Sequence, residues 1–217
     1  MDIDLIKILT NIVIWAPPVL LAVTLHEVGH GYMAYRHGDP TAKQLGRLTI
    51  NPIKHVDLMG TIIVPIAMMI LTPFVFGWAK PVPINAARLN NPRRDMIWVA
   101  IAGPGANIIM AVCWALVFKI ANPVFGEPTA TQAVLVSMAQ VGIMINFLLA
   151  AFNILPIPPL DGSRVVMSFL SPGLARPYAR LEQFGMLIIV ALMMSGLLWK
   201  VLNPMMNWLY RMLNILL

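Results

Sequence analysis

The chain has 217 residues, 59% of them hydrophobic and only 11% charged, with a mean hydropathy of +0.78. Soluble domains carry about 25% charged residues, so this composition excludes a soluble globular fold and fits one integral-membrane domain over residues 1–217. The net charge of +6 does not point to nucleic acid, because the basic residues lie in short connections between apolar runs, where membrane topology accounts for them.

The one cysteine, Cys113, sits inside an apolar run. It leaves no intrachain disulfide and no cysteine cluster for a metal. The N-terminus sets Asp2 and Asp4 against Lys7 and has no A-x-A site, so no cleavable signal peptide is expected.

Residues 3–16 are apolar, and Pro17-Pro18 is expected to interrupt the helix or start a new one. Residues 18–35 are long enough to cross most of a bilayer, and with residues 3–16 more than enough. Arg36-His37-Gly38-Asp39-Pro40 then supplies stop signals. Within this run stands His26-Glu27-Val28-Gly29-His30. On a helix, residues at i and i+4 share a face, so His26 and His30 can hold one metal ion together. Glu27 beside them is the candidate general base. Ionisable groups in a membrane-spanning stretch are costly, and they mark a functional site by default.

Residues 41–58 are polar. Residues 44–50 alternate enough for a short strand, and Asn51-Pro52 reads as a turn. Residues 59–76 are apolar but contain Gly60, Pro65 and Pro73, and Gly77-Trp78-Ala79-Lys80-Pro81-Val82-Pro83 follows. So much proline suits a helix that turns back, or one followed by a re-entrant loop, at least as well as a straight span. Residues 96–120 form a strong span with the small-residue run Ala102-Gly103-Pro104-Gly105-Ala106, which lets helices approach. Asn107 next to it needs a polar partner and is expected to face the bundle. Residues 132–153 make another span, and residues 184–202 the last. The tail from Asn203, with Trp208, Tyr210 and Arg211, suits an interfacial helix. The fold expected is an all-α polytopic membrane protein of about four full spans, from up to six apolar segments, with a short β or re-entrant loop region.

A catalytic zinc site takes three protein ligands and keeps one position open for water. Outside the motif, the candidates for the third ligand are His37, Asp39, His55, Asp57, Asp95, Glu127, Asp161 and Glu182. Most fall in loops and read as solvated charges. Asp161 closes a proline-rich run directly after a span. It can reach back to the metal, or it can simply cap the next helix.

Five stretches together resemble the site-2 protease family of intramembrane zinc metalloproteases. They are the His26–His30 motif; Gly46-Arg47-Leu48-Thr49-Ile50-Asn51-Pro52 with His55 and Asp57; Gly77-Trp78-Ala79-Lys80-Pro81-Val82; Ala102-Gly103-Pro104-Gly105-Ala106-Asn107; and Asn153-Ile154-Leu155-Pro156-Ile157-Pro158-Pro159-Leu160-Asp161-Gly162. They run in order from Leu21 to Arg164 and are similar to the minimal bacterial form, without a PDZ or CBS module. The resemblance implies Asp161 as the third zinc ligand and Asn153 as the group that steadies the oxyanion. It implies that residues 77–82 present the substrate as an extended strand. His55, Lys80 and Asn107 match family positions whose roles the residues themselves do not reveal, and a structural role is the simpler expectation for them.

The expected function is therefore zinc-dependent hydrolysis of peptide bonds within or near transmembrane segments, in a bacterial inner membrane, with one Zn2+ and the bilayer as surroundings. The competing class is a zinc-binding transporter or assembly factor without hydrolysis, which would not need Glu27. Only Lys7, Lys119, Lys200 and Arg211 lie outside three basic connections, near residues 36–57, 77–95 and 163–182. If residues 59–76 turn back, all three share one face, which the positive-inside rule makes cytoplasmic, with both termini outside.

Overall fold

The computed structural model describes residues 5–71, 77–123 and 126–216. Four stretches are long and apolar enough to cross a membrane: Leu5–Arg36, Pro92–Ala121, Ala130–Asn153 and Pro172–Met194. The protein is an all-α polytopic membrane protein. Large apolar side chains such as Ile109, Ile120 and Leu187 stand on the outer surface, where lipid replaces the core that a soluble protein would need.

Helix α1 (Leu5–Arg36) carries both Pro17 and Pro18 in its interior. The interruption expected at this pair does not occur, since a membrane helix can re-satisfy the freed carbonyls locally. Its end is set by Gly38 at φ +101°. The amides of Gly38 and Asp39 bond the carbonyls of Tyr35 and Ala34, a Schellman arrangement that only a glycine accommodates without strain. A one-turn helix α2 (Thr41–Gln44) follows. Residues 45–50 are turns and irregular chain, not the expected strand. Residue 44 completes α2, and Gly46 at φ +63° turns the chain away from an extended path.

A π-helical turn (Leu58–Ile63) leads into α3 (Val64–Leu71). Residues 72–76, the end of the segment whose crossing was open, lie outside the described residues. Beyond them the Trp78 amide donates to the Gly60 carbonyl at 2.9 Å, and the Thr61 hydroxyl donates to the Trp78 carbonyl at 3.0 Å. Residue 78 thus lies beside residue 60, where the helical segment began, and the pair shares one end of the molecule.

Helices α4 (Pro92–Ala121) and α5 (Ala130–Asn153) pack against α1 and against each other. Helix α4 starts on Pro92 with the Asp95 carboxylate accepting from the Asn91 amide. Helix α5 starts on a Thr129–Gln132 capping box. After α5 the chain unwinds over residues 154–160 and enters α6 (Asp161–Phe169), α7 (Pro172–Arg180) and α8 (Gly185–Met194). The expected span 184–202 is broken at Ser195–Gly196, where Gly196 takes φ +73°. The apolar stretch is Pro172–Met194 instead. Helix α9 (Leu197–Leu216) does not begin at Asn203 as a separate tail. It turns the stripe Leu198, Leu202, Met205, Met206, Leu209 and Leu213 onto α5 from Ala151 to Ile143.

The three basic connections meet at one end of the bundle. The Arg47 guanidinium donates to the Lys80 carbonyl, His37 pairs with Asp95 at 3.2 Å, and Arg93 donates to the Leu170 carbonyl.

Candidate metal centre

Helix α1 presents His26 and His30 one turn apart, both buried. The Nδ1 atom of His30 lies 2.7 Å from the Val99 carbonyl oxygen on α4. A carbonyl only accepts, so His30 carries a proton on Nδ1, and in the neutral imidazole its Nε2 is left as an acceptor. The Nδ1 atom of His26 lies 2.6 Å from Asn107 Oδ1, also on α4, which places its Nε2 in the same state.

Asp161 comes to these two nitrogens from the opposite side. The unwound run after α5 draws it back into the bundle. Gly162 allows this approach, since a Cβ there would stand 2.1 Å from the Ile154 carbonyl oxygen. Tyr178 ties the run down by donating to the Pro156 carbonyl at 2.8 Å. Asp161 Oδ2 ends 3.1 Å from His30 Nε2 and 3.2 Å from His26 Nε2, and the two nitrogens are 3.0 Å apart.

With both imidazoles neutral, as metal binding requires, three acceptors form a nearly equilateral triangle with no hydrogen between them. Such a set repels itself unless a cation sits among its members. A tetrahedral ion with bonds of about 2.0–2.1 Å separates its ligand atoms by about 3.3–3.4 Å, so the triangle needs to open by only a few tenths of an ångström. Space for the rings is made by Gly103 on α4, where a Cβ would stand 2.3 Å from His30 Nε2 and 2.8 Å from His26 Cε1. The donor set of two imidazoles and a carboxylate fits zinc. Among the described residues it is the single group of three ligating side chains gathered in this way.

Glu27 is held from another side. Its Oε2 accepts from the Val82 amide at 2.6 Å. The segment carrying Val82 is braced in turn, with the Lys80 amide on the His55 carbonyl at 2.9 Å and Arg47 on the Lys80 carbonyl at 3.0 Å.

The remaining candidates are occupied elsewhere. Asp57 caps the Gly60 amide, Asp39 accepts from Thr41 and Asn85, and Glu127 and Glu182 are exposed. His55 is buried, with Nε2 on the Thr49 carbonyl. Asn153 ends α5, and its Nδ2 donates to the Leu149 carbonyl at 3.0 Å, so one of its two N–H groups is held by its own helix. Asn107, for which a structural role is expected as for His55 and Lys80, contacts His26 directly. The Val99 carbonyl and the Val82 amide are backbone groups that leave no mark in a sequence. Asn146 carries such a mark, as a polar residue inside a span.

The sequence profile of peptidase family M50 matches residues 16–196. YwhC of Bacillus subtilis, named as a candidate zinc metalloprotease, is 37% identical over 190 residues, 87% of this chain and 84% of that protein. Rip2 of Mycolicibacterium smegmatis, named likewise, is 30% identical over 198 residues, 88% of this chain and 70% of the relative. The zinc metalloprotease MJ0392 of Methanocaldococcus jannaschii is 24% identical over 169 residues, 76% of this chain and 38% of the longer relative. No solved structure matches the chain.

Proposed function

Because the chain belongs to peptidase family M50, the site-2 proteases, we propose that it is an intramembrane zinc metalloendopeptidase that cuts within or near transmembrane segments of other membrane proteins. The observation that carries this reading is the triangle of His26, His30 and Asp161 acceptors, with Glu27 next to His26 on a spanning helix. In this reading His26, His30 and Asp161 are the metal ligands, and the whole chain acts as one domain.

Bound zinc supplies a Lewis acid for the scissile carbonyl and lowers the pKa of water to about 7. The chain's own groups do the rest. Glu27 takes a proton from the attacking water and passes it to the leaving amine nitrogen. The Val82 amide restrains one carboxylate oxygen, which leaves the other for that transfer. Asn153 rotates its Nδ2 away from Leu149 and donates to the oxyanion that develops on the substrate. Peptide bonds inside a helix are shielded, so the substrate unwinds next to residues 77–82 before it is cut.

Orientation follows from charge. The end of the bundle that gathers the three basic connections faces the cytoplasm of a bacterial cell. Ten residues separate His26 from Arg36, so the site lies roughly 15 Å from that end of α1.

The test is cleavage of a model transmembrane substrate by the detergent-purified protein, with and without a chelator. Cleavage that needs zinc and Glu27 supports the reading. A protein that binds zinc but cuts nothing would return the non-hydrolytic class.

A further inference from the structure

Three helices exchange hydrogen bonds through two buried asparagines behind the metal centre. Asn107 Oδ1 faces His26 Nδ1 at 2.6 Å. Asn107 Nδ2 donates to the Ala22 carbonyl on α1 at 3.1 Å and to Asn146 Oδ1 on α5 at 2.9 Å. Asn146 Nδ2 donates to the Gly142 carbonyl at 2.8 Å. Both asparagines have no exposed surface.

Which end of each amide is oxygen follows from these partners. The Gly142 carbonyl only accepts, so Asn146 must turn its nitrogen there and its oxygen toward Asn107. Asn107 then faces two acceptors, Asn146 Oδ1 and the Ala22 carbonyl, and must turn both N–H groups to them. Its oxygen is left for His26 Nδ1, which must therefore carry the imidazole proton. In the neutral ring the lone pair of His26 is thereby fixed on Nε2, the atom in the acceptor triangle.

We infer that Asn146 is a positioning residue for His26, acting through Asn107. Asn107 alone does not complete the logic. Without Asn146, one N–H of Asn107 has no acceptor in an apolar span. Turned over, the amide would present N–H to His26 Nδ1 and favour the tautomer with its proton on Nε2, which cannot bind metal. Asn146 makes the wrong orientation costly, because it would set oxygen against oxygen and also against the Ala22 carbonyl. Gly142 belongs to the same device. A Cβ there would stand 2.3 Å from Trp114, and its absence lets α5 come close enough to α4 for the two amides to meet.

The inference rests on His26 being a zinc ligand, and the test separates the two. Zinc dissociation constants are measured by chelator competition on the full-length protein in detergent, and the d–d absorption of bound Co2+ reports ligand geometry. The proteins are wild type, Asn146→Leu, Asn107→Leu, the double variant, and His26→Ala as control. Asn146→Leu is expected to weaken zinc by about 10–100-fold and to shift the Co2+ bands. Asn107→Leu removes the amide through which Asn146 acts, so it should weaken zinc by about 10–100-fold itself. Adding Asn146→Leu to it should then change binding by less than about threefold. Equal losses from Asn146→Leu in both backgrounds would mean a packing role and overturn the inference, as would a loss below about threefold in the wild-type background. Should the leucine variant not purify folded, Asn146→Ala takes its place with the same expectations. If His26→Ala binds zinc as wild type does, the ligand reading itself fails, and the inference with it.

Discussion

Replacing Gly103 by alanine adds a single methyl group, and the structure places that methyl against the imidazoles of the proposed ligands His30 and His26. The new Cβ would stand 2.3 Å from His30 Nε2, 2.5 Å from His30 Cε1 and 2.8 Å from His26 Cε1, where ordinary contact begins at 3.4 Å. The His30 ring must retreat by roughly 1 Å, while metal–ligand distances tolerate only about 0.2 Å. A shift of that size also strains the 2.7 Å bond from His30 Nδ1 to Val99. Loss of an outer-sphere partner costs about 10–100-fold in metal affinity, and displacing a ligand costs more, so Gly103→Ala should weaken zinc by at least about 100-fold and abolish cleavage. Gly105, two residues on, is the control. A Cβ there meets nothing within 4 Å, and alanine in a helix interior is worth about 0.5–1 kcal/mol over glycine, so Gly105→Ala should keep zinc, activity and Tm. The assays are chelator competition, cleavage in detergent and thermal unfolding of both variants. Zinc held within about threefold of wild type by an active Gly103→Ala enzyme would refute the placement of the imidazoles.

Glu27→Gln should stop cleavage while zinc content stays near wild type, because glutamine keeps the shape and loses the base; retained turnover would sink the proposed chemistry. Asp161→Ala should lower zinc affinity, whereas Asp57→Ala and Glu182→Ala should not, and full occupancy in the Asp161 variant would point to another ligand. Asn153→Ala should reduce kcat by about 10²–10³-fold with zinc content unchanged, and an unchanged kcat would free Asn153 from the reaction. Cysteines at Lys54, Arg93 and Arg176, introduced in a Cys113→Ala background, should resist an impermeant thiol reagent in intact cells, while one at Glu127 reacts. Labelling at Arg93 but not Lys54 would contradict their shared end.

Much of the site was legible because its chemistry sits in side chains at fixed spacing. His26 and His30 are one helical turn apart in any α-helix, and ionisable groups in an apolar run stand out. Asp161 was readable only as an alternative until the resemblance weighted it, since its approach depends on how residues 154–160 unwind. The helix end at Arg36 followed from Gly and Pro signals, and the span expected to stop at residue 120 ends at Ala121. The break at Gly196 did not, because one glycine in an apolar run reads equally well as helix interior. Gly103 and Gly105 look alike in sequence and differ wholly in surroundings. What stayed hidden is mostly backbone: the Val99 carbonyl that sets the His30 tautomer, and the Val82 amide on Glu27.

That amide belongs to a segment whose bonding follows a simple alternation. The backbone donors of Trp78, Lys80 and Val82 all turn inward, to Gly60, His55 and Glu27. In an extended chain the donors of residues 79, 81 and 83 belong to the opposite edge, and Pro81 and Pro83 have none. That edge therefore offers carbonyls with a single donor, at Ala79. Such an edge is a poor template for another copy of itself, as proline on an exposed edge generally is. A peptide lying along it would be held by few backbone bonds, so its grip would come from side chains and from the metal centre. Under the proposed function the segment would do two separable things: its inner donor at Val82 would fix Glu27, and its outer edge would admit an unwound strand without retaining the product.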